Sequence, residues 1–443
     1  MNDAYKIALF MLKIYRNLPS PLRKLCRFVF WLLKIIYIRF KYKQNTYQVN
    51  MGNTFDVTNH DKCETDDLYN TDNCNNMVYK YNNAEKSGLI ISWIIPQPLK
   101  GSGGHRNVYR LIRAFSDFGH KLTVYVDPQV YYKQDYYCSN ATDVHNMIKE
   151  NYFDLKAEIV FGVDNINECD VLFATYFQSA YMTHAIADKV KLNCYFIQDF
   201  EHLFQPMGDI YITAYQSYKL GLFPITSSKW PLNMLKKEFG VIDGDYFLFP
   251  INKEIYNIDE EKRDEVNIKV IFFARPFFPR RCYNLGISSL AIVKQKCPEV
   301  DIVLFGEEHD AYYNVPFEYN NLGLLPSIND LADLYRTAHI GVCFSTTNPS
   351  LVPFEMMACG CTVVDLDFND NDVTYESRDN VTLAEPFPEK IAESILELIY
   401  NTDLRNKKAK SGMEMVMKLP SEYEMCRNVE KIILNRYKTV MSM

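Results

Sequence analysis

Ser345-Thr-Thr-Asn-Pro-Ser-Leu-Val-Pro-Phe-Glu355-Met-Met-Ala-Cys-Gly360-Cys-Thr-Val-Val364 sets a polar loop, an apolar helix and an apolar strand one after another. The loop follows the apolar run Ile340 to Phe344. Its hydroxyls and the helix-opening amides therefore fall at the carboxyl end of a strand, where open α/β sheets hold ligands. Helix amino termini favour phosphate. Glu355 is a carboxylate on the first turns of an otherwise apolar helix, and a charge placed there needs a partner such as the hydroxyls of a sugar. The stretch thus points to an α/β fold with a sugar nucleotide at a strand end.

The same alternation extends on both sides of this stretch. Val270 to Phe273 reads as a strand ending in Ala274-Arg275-Pro276, with Arg280 and Arg281 close behind, so guanidinium groups cluster at one sheet edge. Arginine holds phosphate oxygens bidentately and stabilises a departing diphosphate. Surface arginines in ordinary ion pairs are the competing reading, more so for Arg281 than for Arg275. Next come a helix around Leu285 to Lys296, a strand Asp301 to Phe305 with Gly306 after it, and a helix Asp330 to Thr337 capped by Ser327. Thr362 to Asp365 completes the sheet, and two helices close the chain, Glu389 to Tyr400 and about Glu422 to Tyr437.

Towards the amino terminus a second unit of the same kind begins at Gly88. Leu89 to Ile95 is a continuous apolar run of the buried-strand type, stopped by Pro96-Gln-Pro98. Gly101-Ser-Gly-Gly104 then leads into a segment with apolar residues at helical spacing (Val108, Leu111, Ile112, Phe115), and Leu122 to Val126 is the next strand. A glycine turn at a strand end lets backbone amides approach a ligand, although a plain tight turn fits the residues too, and the spacing is not that of a dinucleotide fingerprint. Val171 to Thr175 and Cys194 to Ile197 are further strands. The second runs into Gln198-Asp199-Phe200-Glu201-His202, where carboxylates could orient or deprotonate an acceptor hydroxyl. The rival reading has Asp199 as a helix cap and Glu201 in solvent.

The 443 residues are too many for one core and suit two domains plus an extension. A formal charge of −7 argues against a general nucleic-acid binder. The twelve cysteines lie mostly singly in apolar runs, with no CxxC pair and no Cys/His cluster, as expected of reduced core thiols in a cytoplasmic protein without a metal site. Residues 1–45 alternate basic and apolar side chains, and the run Phe28 to Ile38 is short for a membrane span. That segment reads either as an interfacial helix at an anionic membrane surface or as an amphipathic helix packed on the protein, and no signal-peptide cleavage site follows it. Residues 46–87 read as a polar linker. The expected organisation is then 88–250 as a first Rossmann-like domain, 251–420 as a second, and 421–443 as a helix that returns to the first.

Gly101-Ser-Gly-Gly-His-Arg106, Gln198-Asp-Phe-Glu201, Phe273-Ala-Arg-Pro276 with Pro279-Arg280, Leu334-Tyr-Arg336 and Thr347-Asn-Pro-Ser-Leu-Val-Pro-Phe-Glu-Met-Met-Ala-Cys-Gly360 together resemble the WsaF-like rhamnosyltransferases of bacterial surface glycans, over about residues 88 to 435. The resemblance implies a GT-B fold, two doubly wound Rossmann-like domains facing a cleft. It further implies transfer of a deoxysugar, L-rhamnose from dTDP-rhamnose, to a glycan or lipid-linked saccharide, without a metal cofactor. The broader family-4 pattern has a second glutamate eight residues before the helix one, and here that position is Thr347; where the rhamnosyltransferase pattern has Asn after Pro-Arg, this chain has Arg281.

On this reading Arg275 and Arg280, with Arg281 and Gly306, hold the donor's diphosphate, and Gly103 and Gly104 supply amides from the facing domain. Glu355 positions the donor, with Thr347, Asn348, Ser350 and Leu351 around its phosphate and sugar. Asp199 or Glu201 orients the acceptor, and His105 sits near the transferred sugar. The residues equally suit a GT-B enzyme using a UDP- or GDP-hexose, an epimerase, or a non-catalytic subunit of a glycan-assembly complex.

Overall fold

The computed structural model describes residues 88–129, 137–259, 263 and 267–442. The amino-terminal segment 1–45 and the linker 46–87 lie outside the described residues.

The first sheet contains β1 (Ile90–Pro96), β2 (Lys121–Asp127), β3 (Glu158–Phe161), β4 (Cys169–Ala174), β5 (Val190–Ile197), β6 (Phe223–Thr226) and β7 (Asp245–Tyr246). Their order is β3-β2-β1-β4-β5-β6-β7, and all neighbours run parallel. The helices of this half are α1 (Gly103–Asp117), α2 (Ala141–Asn151), α3 (Phe177–Ala185), α4 (Asp209–Ser217) and α5 (Lys229–Phe239). β1 is apolar along nearly its whole length because helices cover both faces of the sheet. Trp93 stacks on Phe173 of the neighbouring strand with ring centroids 3.9 Å apart.

The second sheet contains β8 (Lys269–Phe273), β9 (Asp301–Phe305), β10 (Asn320–Gly323), β11 (Ile340–Val342), β12 (Thr362–Leu366) and β13 (Thr382–Ala384), in the parallel order β10-β9-β8-β11-β12-β13. Around it lie α6 (Tyr283–Lys296), α7 (Ile328–Thr337), α8 (Val352–Ala358), α9 (Pro388–Tyr400) and α10 (Thr402–Val416). The last helix, α11 (Glu422–Met441), opens with a capping box between Ser421 and Glu424. It buries Met425, Cys426, Val429 and Ile433 in the core of the first sheet.

Three helices rather than two therefore close the chain. The additional one, α10, is mostly polar and buries little beyond Arg405, Gly412, Met415 and Val416, so no apolar stripe marks it in the sequence. In each sheet the strand order reverses beside one central strand, β1 in the first and β8 in the second. The glycine turn follows β1, and Arg275 follows β8, so both loops stand at a topological switch point, where this architecture opens a crevice.

Candidate active site

The strand ends of the two sheets line one cleft of about 1380 Å³. From the first domain it receives Ser102 to Asn107, Thr175, Gln198, Asp199, Glu201 and Phe204, and from the second Tyr256, Arg275, Arg280, Arg281, Asn348 to Val352 and Glu355.

Glu355 lies in the first turn of α8, a helix whose other buried side chains are Val352, Pro353, Met356, Met357 and Ala358. It is 3% exposed, and its Oε2 has no hydrogen-bond partner within the protein. Burial pushes its carboxyl up to about 8, opposed in part by the nearby Tyr256 hydroxyl. A carboxyl left in this state inside a ligand-sized cleft is short of hydrogen-bond donors, the kind of group that the hydroxyls of a ligand provide.

Arg275 leaves β8 and is held in a buried ion pair, its Nε donating to Glu307 Oε2 at 3.0 Å, while its guanidinium covers the Phe278 ring at 4.3 Å. Glu307 follows Gly306 directly after β9, at the same strand-end level, and that position is the sequence signal by which it could have been found. The Arg280 guanidinium lies over Phe204 of the first domain at 4.6 Å and over Phe278 at 5.6 Å.

Two residues expected at the diphosphate are engaged within the protein. Arg281 is 7% exposed and donates through Nη1 to the Phe344 carbonyl at 3.3 Å, so it props the strand end ahead of the Ser345 loop. Gly306 is not part of the cleft wall. Its amide donates to the Gly323 carbonyl at 2.9 Å, its φ is +103°, and an added Cβ would stand 2.6 Å from the Phe273 ring and 3.4 Å from the Arg275 stem. A side chain there is excluded by the packing beneath Arg275 and by backbone conformation.

Across the cleft, Gly103 and Gly104 open α1, whose cap Ser102 accepts the His105 amide. The leading amides of the helix face the cleft with its positive end. Gly104 also packs close to Gln198, whose Nε2 donates to the Gly104 carbonyl at 3.0 Å. His105 stands at the cleft wall with both ring nitrogens engaged. Its Nδ1 meets Ser102 Oγ at 3.0 Å and its Nε2 meets the Gln97 carbonyl at 3.2 Å, while burial lowers its pKa to about 4. It is a neutral ring that clamps the glycine turn.

Asn348 and Asp199 stand at the cleft wall and, with Thr347, are bonded to one another across the two domains. Thr347 Oγ1 donates to Asp199 Oδ2 at 2.8 Å, and the Asn348 amide donates to Asp199 Oδ1 at 3.3 Å. The Asn348 side chain donates to the Gln198 carbonyl at 3.0 Å and to Ser227 Oγ at 3.1 Å, and accepts from Ser228 Oγ at 2.8 Å. These groups join the two domains, and Thr347 does not line the cleft. Asp199, raised by burial, is occupied by the facing loop. Glu201 remains at the strand end of β5: Oε2 accepts the Phe177 amide at 2.8 Å, capping α3, and burial raises its carboxyl to about 7. Ser350 and Leu351 line the cleft where α8 begins.

Among the described residues no group of three or more His, Cys, Asp or Glu side chains is arranged to hold a metal ion, and no helix is long and apolar enough to cross a membrane.

Residues 268–396 match the family described as WsaF, C-terminal domain. The O-antigen biosynthesis protein RfbC of Myxococcus xanthus is 33% identical over 272 residues, covering 60% of this chain and 21% of that protein, so the chain spans about a fifth of that relative's length. HepE of Anabaena, solved in complex with UDP, has 15% identity and a TM-score of 0.61, over 78% of this chain and 100% of HepE. The sucrose-phosphate synthase of Thermosynechococcus elongatus has 13% identity and a TM-score of 0.58, over 79% and 99%. The chain has the GT-B fold, and residues 268–396 of its second domain are similar to the WsaF C-terminal domain.

Proposed function

We propose that this chain is a glycosyltransferase that moves a deoxysugar, L-rhamnose from dTDP-rhamnose, onto a bacterial surface glycan. The single observation that carries the reading is Glu355, a buried carboxyl with an unpartnered oxygen inside a two-domain cleft whose walls also hold Arg275 and Arg280. The WsaF-type second domain, the RfbC likeness and the UDP bound by HepE support a nucleotide sugar as donor and a glycan as product.

In the proposed mechanism the donor's diphosphate lies between the amides of Gly103 and Gly104 and the guanidinium groups of Arg275 and Arg280. Glu355 accepts hydrogen bonds from hydroxyls of the sugar or ribose. The bond between the anomeric carbon and the diphosphate oxygen breaks, and its electron pair leaves with the nucleotide, whose charge the arginines and helix amides stabilise. The acceptor hydroxyl oxygen bonds to the anomeric carbon and its proton passes to Glu201, whose pKa near 7 suits a base at neutral pH. No step is assigned to a metal.

A thermal-shift panel of nucleotide sugars tests this, because stabilisation grows with ligand concentration over dissociation constant. dTDP-rhamnose is expected to stabilise most, and Glu355→Gln to remove the shift. A larger shift with a UDP-hexose replaces the donor, and no shift with any nucleotide sugar ends the reading.

A further inference from the structure

The chain crosses from the first sheet to the second between β7 and β8, and one short turn of that crossing is built into the cleft wall. Ile255 and Tyr256 both send their amides to the Asn252 carbonyl, at 3.2 and 2.8 Å, and the Asn257 side chain donates to the Glu254 carbonyl at 2.9 Å. The turn is fastened on two sides. Lys253 Nζ donates to the carbonyls of Met417 and Leu419, each at 2.8 Å, which ties it to the chain leaving α10. Arg336 of α7 holds the far end with its whole fork. Its Nε donates to the Asn257 carbonyl at 3.1 Å, its Nη2 to the Ile255 carbonyl and to Asn257 Oδ1 at 3.0 Å, and its Nη1 to Asp333 Oδ1 at 2.7 Å.

Between the two carbonyls that Arg336 grips lies Tyr256. This side chain lines the cleft, is 3% exposed, and stacks on Tyr335 with ring centroids 6.1 Å apart. Arg336 itself does not line the cleft. The Tyr256 hydroxyl bears on Glu355 and favours its ionised form, against the burial that raises it. The other titratable groups that sense Glu355 are Cys343, directly after β11, and Cys359 on its own helix; burial raises both thiols, so both stay neutral at working pH. An arginine that holds the carbonyls on either side of a residue fixes where that residue's side chain points. A lysine cannot replace it, because one ammonium cannot serve two carbonyls and an amide in set directions.

We propose that Arg336 is a positioning residue for the donor site: by gripping the carbonyls of Ile255 and Asn257 it holds the Tyr256 hydroxyl against Glu355, so that this carboxyl is oriented to accept the donor's hydroxyls. This rests on the donor role given to Glu355 above.

The test follows the affinity of the full chain for dTDP-rhamnose, with UDP-glucose alongside, by calorimetry across pH. Wild-type affinity is expected to rise with pH and level off near pH 8, where Glu355 is ionised. Tyr256→Phe and Arg336→Lys should each move that levelling-off upward by about one pH unit, which is about a tenfold loss of affinity at pH 7 that is recovered at high pH. Tyr256→Phe/Arg336→Lys should shift it no further than either change alone, since both act through one hydroxyl. Arg336→Lys binding that is weaker by the same factor at every pH would mark a packing role only and overturns the proposal. Tyr256→Phe removes one oxygen and keeps the ring, so it serves if Arg336→Lys does not fold; an unmoved profile in Tyr256→Phe overturns the proposal by itself. A wild type that binds a nucleotide sugar with no dependence on pH removes the donor role of Glu355 and this proposal with it, while a wild type that binds neither nucleotide sugar removes the transfer reading as well.

Discussion

Thr347 of the second domain donates its hydroxyl to Asp199 of the first at 2.8 Å, across 148 positions of sequence. The Asn348 amide reaches the other oxygen of the same carboxylate, so one side chain fixes the loop that leads into the Glu355 helix. Both groups are largely removed from water, and a buried polar atom that loses its partner costs about 1 to 3 kcal/mol. Thr347→Val and Asp199→Asn should each destabilise the fold, and their double-mutant cycle in denaturant melts should return a coupling of about 1 to 2 kcal/mol. A coupling near zero would show that the contact does not help hold the domains together. Asp199→Asn should also keep turnover within about tenfold, well short of the loss of 100-fold or more expected on removing a general base.

Arg275 and Glu307 form the other decisive pair, 7% and 4% exposed at the side chain and 3.0 Å apart. Removing one member leaves a buried charge alone, at a cost of about 3 to 5 kcal/mol. Glu307→Ala should therefore lower the melting temperature and transfer rate together. Arg275→Ala is expected to lose about 2 to 4 kcal/mol of transition-state stabilisation. Arg275→Ala/Glu307→Ala should regain stability relative to Glu307→Ala without regaining turnover. Near-normal turnover in a folded Arg275→Ala protein would exclude the diphosphate role.

Much of this architecture is legible in the sequence because its strands are buried on both faces and read as unbroken apolar runs. Leu89 to Ile95 and Asp301 to Phe305 coincide closely with β1 and β9. Arg275, Arg280 and Glu355 are legible for a related reason: a charge directly after an apolar run stands at a strand end or on a buried helix, and either position demands a function. α2 leaves little trace, since only Val144 and Ile148 of its residues are buried. The partners of the site are hidden for another reason. Thr347 and Asn348 look like ligand contacts from their neighbours, but their hydrogen bonds go to residues over a hundred positions away. His105 likewise looks available until Gln97 and Ser102 are seen on both ring nitrogens.

His105 should consequently behave as a structural residue. Its ring stays neutral across the working range because burial holds its pKa near 4. His105→Ala removes contacts to Ser102 and the Gln97 carbonyl and should cost about 1 to 3 kcal/mol of stability. At a temperature where the variant is folded, the pH profile of its turnover should superpose on that of the wild type. A profile that loses a limb near neutrality would put the imidazole in the chemistry.

Glu355 makes the sharpest prediction about pH. Its ordinary value is 4.5 and its folded value about 8. Below about 4.5 both folded and unfolded chains hold the proton; between there and 8 the unfolded chain has lost it while the folded one keeps it. Stability contributed by the neutral carboxyl is thus present at low pH and is lost as pH rises through that window, by up to about 1.4 kcal/mol per pH unit. Glu201 adds a fall of the same sign between 4.5 and about 7. Glu355→Gln should flatten the decline, so the variant gains on the wild type steadily from pH 5 to 8 in denaturant melts. Donor binding works in the opposite sense. Hydroxyls that donate to the carboxyl favour its ionised form, so wild-type donor affinity should rise with pH up to about 8 and binding should release a proton, visible as a buffer-dependent heat in calorimetry. Glu355→Gln should bind the donor weakly and without that pH dependence. Wild-type affinity that is flat from pH 6 to 8, with no proton released, would separate Glu355 from the donor's hydroxyls.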